Sequence, residues 1–332
     1  MYPERVSDPS AGPTAAPRSS HRPVPSGAQY RIGHGNQRAT VVEVGAAVRE
    51  YRAGDREIFQ SYPEHDVSWA FHGTVLVPWP NRLRDGHYEF DGDPHQVGLS
   101  EPSRRNALHG LAAWLPWTLV EQAPAGVTLR CRIFPSPGYP FHLDTLVTYE
   151  LGDEGLVVTT TSTNVGDRAC PYALGFHPYV SAGSGATIDD CTLHIDASRR
   201  LLVDNRLIPV DDESVAGTAD DFRGDRPLAG RVLDTGFTDV TADAAGQSFV
   251  RVASSDGHTV EVWADANFGF WQVYSGDELP APLARRSLAV EPMTAAPNAF
   301  QTGLGLRRLE PAEFVTSRWG ARLASTTELR VD

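Results

Sequence analysis

The sequence predicts an all-β protein, built as one large single-domain β-sandwich. Three observations carry that prediction. Apolar and β-branched residues come in short runs, several with period-two alternation. Thirty Gly and 25 Pro punctuate those runs, and both residue types are poor inside helices. No stretch keeps a 3.6-residue apolar period long enough for a helix. The 332 residues would suffice for two ordinary domains, but all-β folds often run past about two hundred residues as one unit. No internal repeat of short period divides the chain.

Residues 1–30 are rich in Pro, Ser, Ala and Gly and contain no apolar h-region. They read as a disordered tail, neither signal peptide nor membrane anchor, so the sandwich is expected over 31–332. Within it, 40–44 and 46–51 flank Gly45, and His87–Phe90 lies between Asp85-Gly86 and Asp91-Gly92. Segments 117–121 and 127–133 read as a hairpin around Pro124-Ala125-Gly126. Another hairpin joins 143–151 to 156–163 through Gly152-Asp153-Glu154-Gly155. Strands at 249–253 and 259–263 flank Ser255-Asp256-Gly257, strands at 268–274 and 287–290 follow, and 314–323 closes the set. Residues 182–225 read as an excursion of long loops.

Composition narrows the function. Acidic residues outnumber basic ones 42 to 29, for a net charge of −13, which works against binding nucleic acid or an anionic membrane. Lysine is absent, which removes Schiff-base chemistry and a phosphate-loop lysine. Cys131, Cys170 and Cys191 have neither disulfide nor zinc spacing and read as buried free thiols. No apolar run is long enough to span a bilayer, and the expected location is the cytoplasm.

Four segments depart from strand-and-turn grammar. In Val77-Pro78-Trp79-Pro80-Asn81-Arg82, prolines stiffen the backbone around an indole face suited to a sugar ring. Asn81 and the planar donor fork of Arg82 follow at once. Asn106-Ala107-Leu108-His109-Gly110 places an imidazole at a turn. Gly175-Phe176-His177-Pro178-Tyr179 places a second imidazole at a strand end, where partial burial would tune it near neutrality. Glu291 leaves the apolar strand 288–290 into Pro292-Met293-Thr294, and a carboxylate there is costly unless paired or working. A carboxylate, two imidazoles, a guanidinium and an aromatic face suit acid–base chemistry on a neutral polyol.

In this order, Pro78-Trp79-Pro80-Asn81-Arg82, Leu108-His109-Gly110, Gly175-Phe176-His177-Pro178-Tyr179, Glu291-Pro292-Met293-Thr294 and Pro297-Asn298-Ala299-Phe300 resemble the motifs of the aldose 1-epimerases. The resemblance covers about residues 37–323. It implies a galactose mutarotase type of sandwich with an open cleft on one sheet. It also implies Glu291 as catalytic base and His177 as acid, with Arg82 and His109 holding the sugar. Asp234, in Leu233-Asp234-Thr235-Gly236-Phe237, resembles the acidic residue that accepts hydrogen bonds from sugar hydroxyls.

The implied reaction interconverts the α and β anomers of a free aldose. Glu291 would take the O1 proton while His177, as imidazolium, protonates the ring oxygen, and mutual attraction would lower the Glu pKa and raise that of the His. Such proton transfers call for no cofactor and no metal, in keeping with the lack of a dinucleotide-binding glycine motif. The expected partner is a small sugar, and the expected state a monomer or homodimer. Three rivals stand beside this reading. A hexose-6-phosphate epimerase would use Arg84, Arg104 and Arg105 for the phosphate. A non-catalytic sugar-binding protein could use the same sandwich. A glycoside hydrolase or lyase would need a second carboxylate, for which Asp234 is the candidate.

Overall fold

The computed structural model describes residues 24–325 and is almost entirely β. The tail expected over 1–30 falls mostly outside the described residues. Its last two positions do not behave as tail: Gln29 and Tyr30 open the strand Gln29–His34. That strand pairs with Gln37–Val42, placing Tyr30 opposite Val41.

Two large antiparallel sheets make the sandwich. The first runs through Gln29–His34, Gln37–Val42, Val48–Ala53, Arg56–Phe59, Tyr179–Ser181, Ser287–Met293, Phe270–Tyr274, Asp234–Val240, Ala197–Val203 and Pro209–Ser214. The short strands Val75–Leu76 and Gly175–Phe176 join beside its centre. The second is built on the hairpin Leu143–Gly152 with Gly155–Asn164, continued by Phe314–Ser325, His258–Ala264 and Ser248–Ser254. Buried and less buried residues alternate along Leu143–Gly152 as the pleat requires.

The core lies between the sheets. Trp271, Val273, Leu288 and Val290 from the first meet Tyr149, Val158, Val262 and Trp319 from the second, all essentially inaccessible to water. Burying each such side chain contributes roughly 1.5–3 kcal/mol. The Trp271 indole donates to Ser248 Oγ at 3.1 Å, tying a central strand of the first sheet to the second.

Two sequence expectations change. Residues 182–225 are not an excursion of loops, since they contain Cys191–Ile195, Ala197–Val203 and Pro209–Ser214. Their pairing is partly electrostatic: Arg200 stands opposite Glu213 and bonds it, so charged residues mask the strand pattern. The strand expected at 287–290 runs on through Glu291 and Pro292 to Met293. Glu291 is therefore a mid-sheet residue and not a strand-end one. The three cysteines are free and buried, as expected. Among the described residues no helix is long and apolar enough to cross a membrane.

Candidate active site

The strand Ser287–Met293 turns Leu288 and Val290 into the core. Alternation therefore sends Ala289, Glu291 and Met293 to the other face of the sheet. Glu291 stands opposite Gln272, and Gln272 opposite Gly236. A side chain at Gly236 would crowd Gln272, since its Cβ would lie 3.1 Å from Oε1. With glycine there, Gln272 reaches Asp234 Oδ1 at 2.6 Å. On the opposite flank Tyr179 pairs with Ala289. His177, two residues earlier, stacks on the Tyr179 ring at 5.0 Å, and His72 stacks on Tyr179 at 5.1 Å.

A small second layer brings the remaining groups. Arg82–Arg84 pairs with Asn106–Leu108, with Arg82 opposite Leu108. The residues just outside this pair, Asn81 and His109, both have left-handed backbone, with φ of 55° and 61°. They are locked to each other. His109 N–H donates to the Asn81 carbonyl at 2.9 Å, and Asn81 N–H donates to His109 Nδ1 at 3.1 Å. Because Nδ1 accepts, the neutral ring carries its proton on Nε2. Burial, with His177 and Arg82 nearby, holds the His109 pKa well below the ordinary histidine value, so it is a neutral hydrogen-bond donor.

His177 Nε2 lies 3.4 Å from Glu291 Oε1, and both side chains are almost fully buried. Among the described residues, His177 Nδ1 and Glu291 Oε2 find no hydrogen-bond partner. Burial pushes the His177 pKa down to about 3. Burial, reinforced by Asp234, raises Glu291 well above the usual carboxylate range against the pull of Arg82. The sequence expectation was the reverse, with attraction lowering Glu and raising His. Desolvation of both charges works against that attraction and favours carboxylic acid with neutral imidazole over the ion pair.

Arg82 is gripped by Glu101, which accepts from Nε at 3.1 Å and from Nη2 at 3.1 Å. Its Nη1 lies 3.7 Å from Asp234 Oδ2. Burial raises the Asp234 pKa in spite of Arg82 and the bond from Gln272.

Glu291, His177, Arg82, His109, Asp234 and Asn81 all line one open cleft of about 180 Å³. Asn81 contributes little free side chain, since it is almost fully buried and its Oδ1 accepts the Arg82 N–H at 2.8 Å. Trp79 is the exception. Its ring is buried, 3% exposed, and packs edge-on against Phe300 at 5.3 Å, so it is a core residue and not a sugar platform. The rigid proline-flanked segment delivers the indole inward.

Sequence reasoning missed Phe71, Glu101, Tyr274 and Glu278, which also line the cleft, and named Arg104, another lining residue, only as a phosphate ligand. Phe71 supplies an aromatic surface in place of Trp79, with its ring 4.5 Å from that of His109. Glu101 precedes Asn106 by five positions, and that nearness to a marked motif was the available signal.

His109, His177 and Glu291 form a group able to hold a metal ion, with ligand atoms within 4.8 Å of one another. A tetrahedral zinc site would need these atoms drawn to about 3.3 Å apart, and Arg82 adds a competing positive charge.

A family model described as aldose 1-epimerase matches residues 28–321. The chain is 32% identical over 292 residues to an uncharacterized Escherichia coli protein, YihR, covering 86% of this chain and 90% of the relative. Its structure resembles a GalM/aldose epimerase homologue from C. elegans with TM-score 0.79 at 20% identity, covering 90% of this chain and 99% of that one. It also resembles galactose 1-epimerase from Lactobacillus acidophilus, with TM-score 0.73 at 19% identity, covering 88% of this chain and 92% of that one. At these identities the structural likeness speaks for the fold, a galactose mutarotase type of sandwich.

Proposed function

The chain belongs to the aldose 1-epimerase family, and from that premise we propose that it is an isomerase interconverting the α and β anomers of a free aldose. The observation that carries this reading is the buried pair of His177 and Glu291, 3.4 Å apart. Arg82, His109 and Asp234 surround it in a cleft open to solvent.

Both required proton states contain one proton in the pair. Desolvation favours its resting place on Glu291. A bound sugar brings hydroxyl dipoles that solvate the ion pair, and these favour moving the proton to His177 Nε2. In that form Glu291 accepts the proton of O1–H, and C1–O1 becomes a carbonyl. The bond from C1 to the ring oxygen breaks, its electron pair stays on that oxygen, and His177 protonates it. The pair is then acid and neutral imidazole again, the form needed for closure: Glu291 returns a proton to O1 while His177 removes one from the attacking hydroxyl. Rotation about the bond between C1 and C2 in the open chain exposes the other carbonyl face. Each positioned transfer typically contributes about 10²–10⁴-fold.

The phosphosugar alternative finds little support in the cations. Arg84 pairs with Asp204 and Arg105 with Asp85. Arg104 lines the cleft but is shared between Glu101 and Glu278. The deciding experiment is anomer-exchange NMR over a panel of free and phosphorylated hexoses and pentoses. Enhanced exchange of free aldoses is expected. Exchange confined to phosphosugars, or sugar binding without enhanced exchange, would overturn the proposal.

A further inference from the structure

The motif Asn106–Gly110 contains an asparagine that the reaction itself does not use. Asn106 is fully buried, and its Nδ2 donates to Glu101 Oε2 at 2.8 Å and to the Arg206 carbonyl at 3.0 Å. The main chains of Asn106 and Glu101 are tied as well: Glu101 N–H donates to Asn106 O at 2.9 Å, and Asn106 N–H to Glu101 O at 3.1 Å. Arg104 Nη1 adds a further bond to Glu101 Oε1 at 3.2 Å. A carboxylate only 11% exposed is thus immobilised from three sides before it meets Arg82.

It meets Arg82 edge to edge, taking Nε and Nη2 together. Such two-pronged contact fixes the plane of a guanidinium as well as its position. The Nη1 edge is left facing the cleft near Asp234. Arginine otherwise has long rotational freedom, and here two further carboxyl groups, Asp234 and Glu291, lie within its cleft. Without a fixed partner on its far edge, the guanidinium would turn toward them and cover the oxygens that must meet the sugar.

We infer that Glu101 is a positioning residue: clamped by Asn106 and Arg104, it aims the Nη1 edge of Arg82 at the sugar and keeps the guanidinium from folding over Glu291 or closing further on Asp234. This rests on the proposed sugar chemistry. Ordinary surface ion pairs do little, but this one is bidentate, shielded and part of a network.

The test uses the full chain. Glu101→Gln keeps the shape of the side chain but can no longer accept both prongs. KM for an exchanged aldose should rise about 5–20-fold with kcat changed less than about 3-fold, the signature of lost ground-state positioning. In an Arg82→Lys background, where no fork exists, the same change should alter KM less than about 2-fold. An unchanged KM, or an equal rise in both backgrounds, overturns the inference. A readout free of turnover comes from arginine Nε–H NMR. The wild type should show a slowly exchanging Arg82 resonance that Glu101→Gln, or Glu101→Asp if the first variant folds poorly, removes. Persistence of that resonance also overturns the inference. If the wild type exchanges no aldose, the functional reading fails, and the resonance still decides whether Glu101 holds Arg82.

Discussion

His177 Nε2 and Glu291 Oε1 stand 3.4 Å apart, and burial moves their proton affinities in opposite senses, His177 down to about 3 and Glu291 well upward. Between the lowered His177 pKa and the raised Glu291 pKa the pair therefore holds one proton, the number needed for ring opening and for closure. Acidification adds a second proton only near the lowered His177 pKa. Alkalinisation removes the single proton as pH passes the raised Glu291 pKa. For kcat/KM of anomer exchange, the expected profile is a plateau between these two limits, its acid limb below the ordinary histidine range and its upper limb above the ordinary carboxylate range. The limbs belong to the coupled pair, not to either group alone. A rate that climbed steadily from about pH 7 to 9 would contradict the single-proton requirement.

Glu291→Gln and His177→Asn each remove one of the two proton carriers while keeping a neutral, hydrogen-bonding side chain. Loss of kcat by about 10²–10⁴-fold is expected for each. Because both replacement side chains are neutral, neither change buries a new charge, and melting temperatures should stay close to the wild-type value. Exchange NMR and thermal melts on the same samples separate the effects. Near wild-type kcat in Glu291→Gln would remove Glu291 from the mechanism.

Much of this site was legible because its residues lie in short, stiff segments. The hairpin over Leu143–Gly152 and Gly155–Asn164 was readable from alternation and its turn. Glu291, His177, His109 and Arg82 were readable as polar groups beside prolines and glycines. What escaped depends on partners distant in sequence. Glu101 looks like a solvated loop residue until Arg82, 19 positions away, closes on it. Trp79 reads as an exposed platform because nothing local reveals that Phe300 receives it. The depth of burial escaped as well: a strand-end histidine suggests a pKa near neutrality, whereas enclosure by Tyr179, Phe71 and His109 drives it far lower.

Phe71 replaces Trp79 as an aromatic wall of the cleft. It and Ala70 both have positive φ, 58° and 44°, a costly backbone for non-glycine residues that commonly marks functional sites. The turn sets the Phe71 ring between His109 and Trp114. Phe71→Ala removes the face without altering any proton carrier. KM should rise about 5–20-fold, corresponding to roughly 1–2 kcal/mol of lost contact, with kcat nearly kept. A large fall in kcat at unchanged KM would show that the ring acts on the chemistry and not on binding.

Gly110 carries the mutual lock of Asn81 and His109. Its φ is 72°, and a Cβ there would lie 2.4 Å from the Val77 carbonyl oxygen and 3.0 Å from Pro78 N. That same oxygen accepts the N–H groups of Leu111 at 2.9 Å and Ala112 at 3.1 Å. Gly110→Ala must therefore push apart the two segments that hold Asn81 and His109, and weaken bonds on both sides. A cost on the order of 2–4 kcal/mol is expected from strain and lost hydrogen bonding together. Gly35, with φ 57° and open space around its Cβ position, supplies the comparison: Gly35→Ala should cost only about 1 kcal/mol. Activity separates the two further. Gly110→Ala should lose more than about 10-fold in kcat/KM, because a small misplacement of His109 is felt at the reacting atoms, and Gly35→Ala should lose none. Equal melting temperatures and equal activity in the two variants would mean that the close approach of Gly110 to Val77 does not hold the site together.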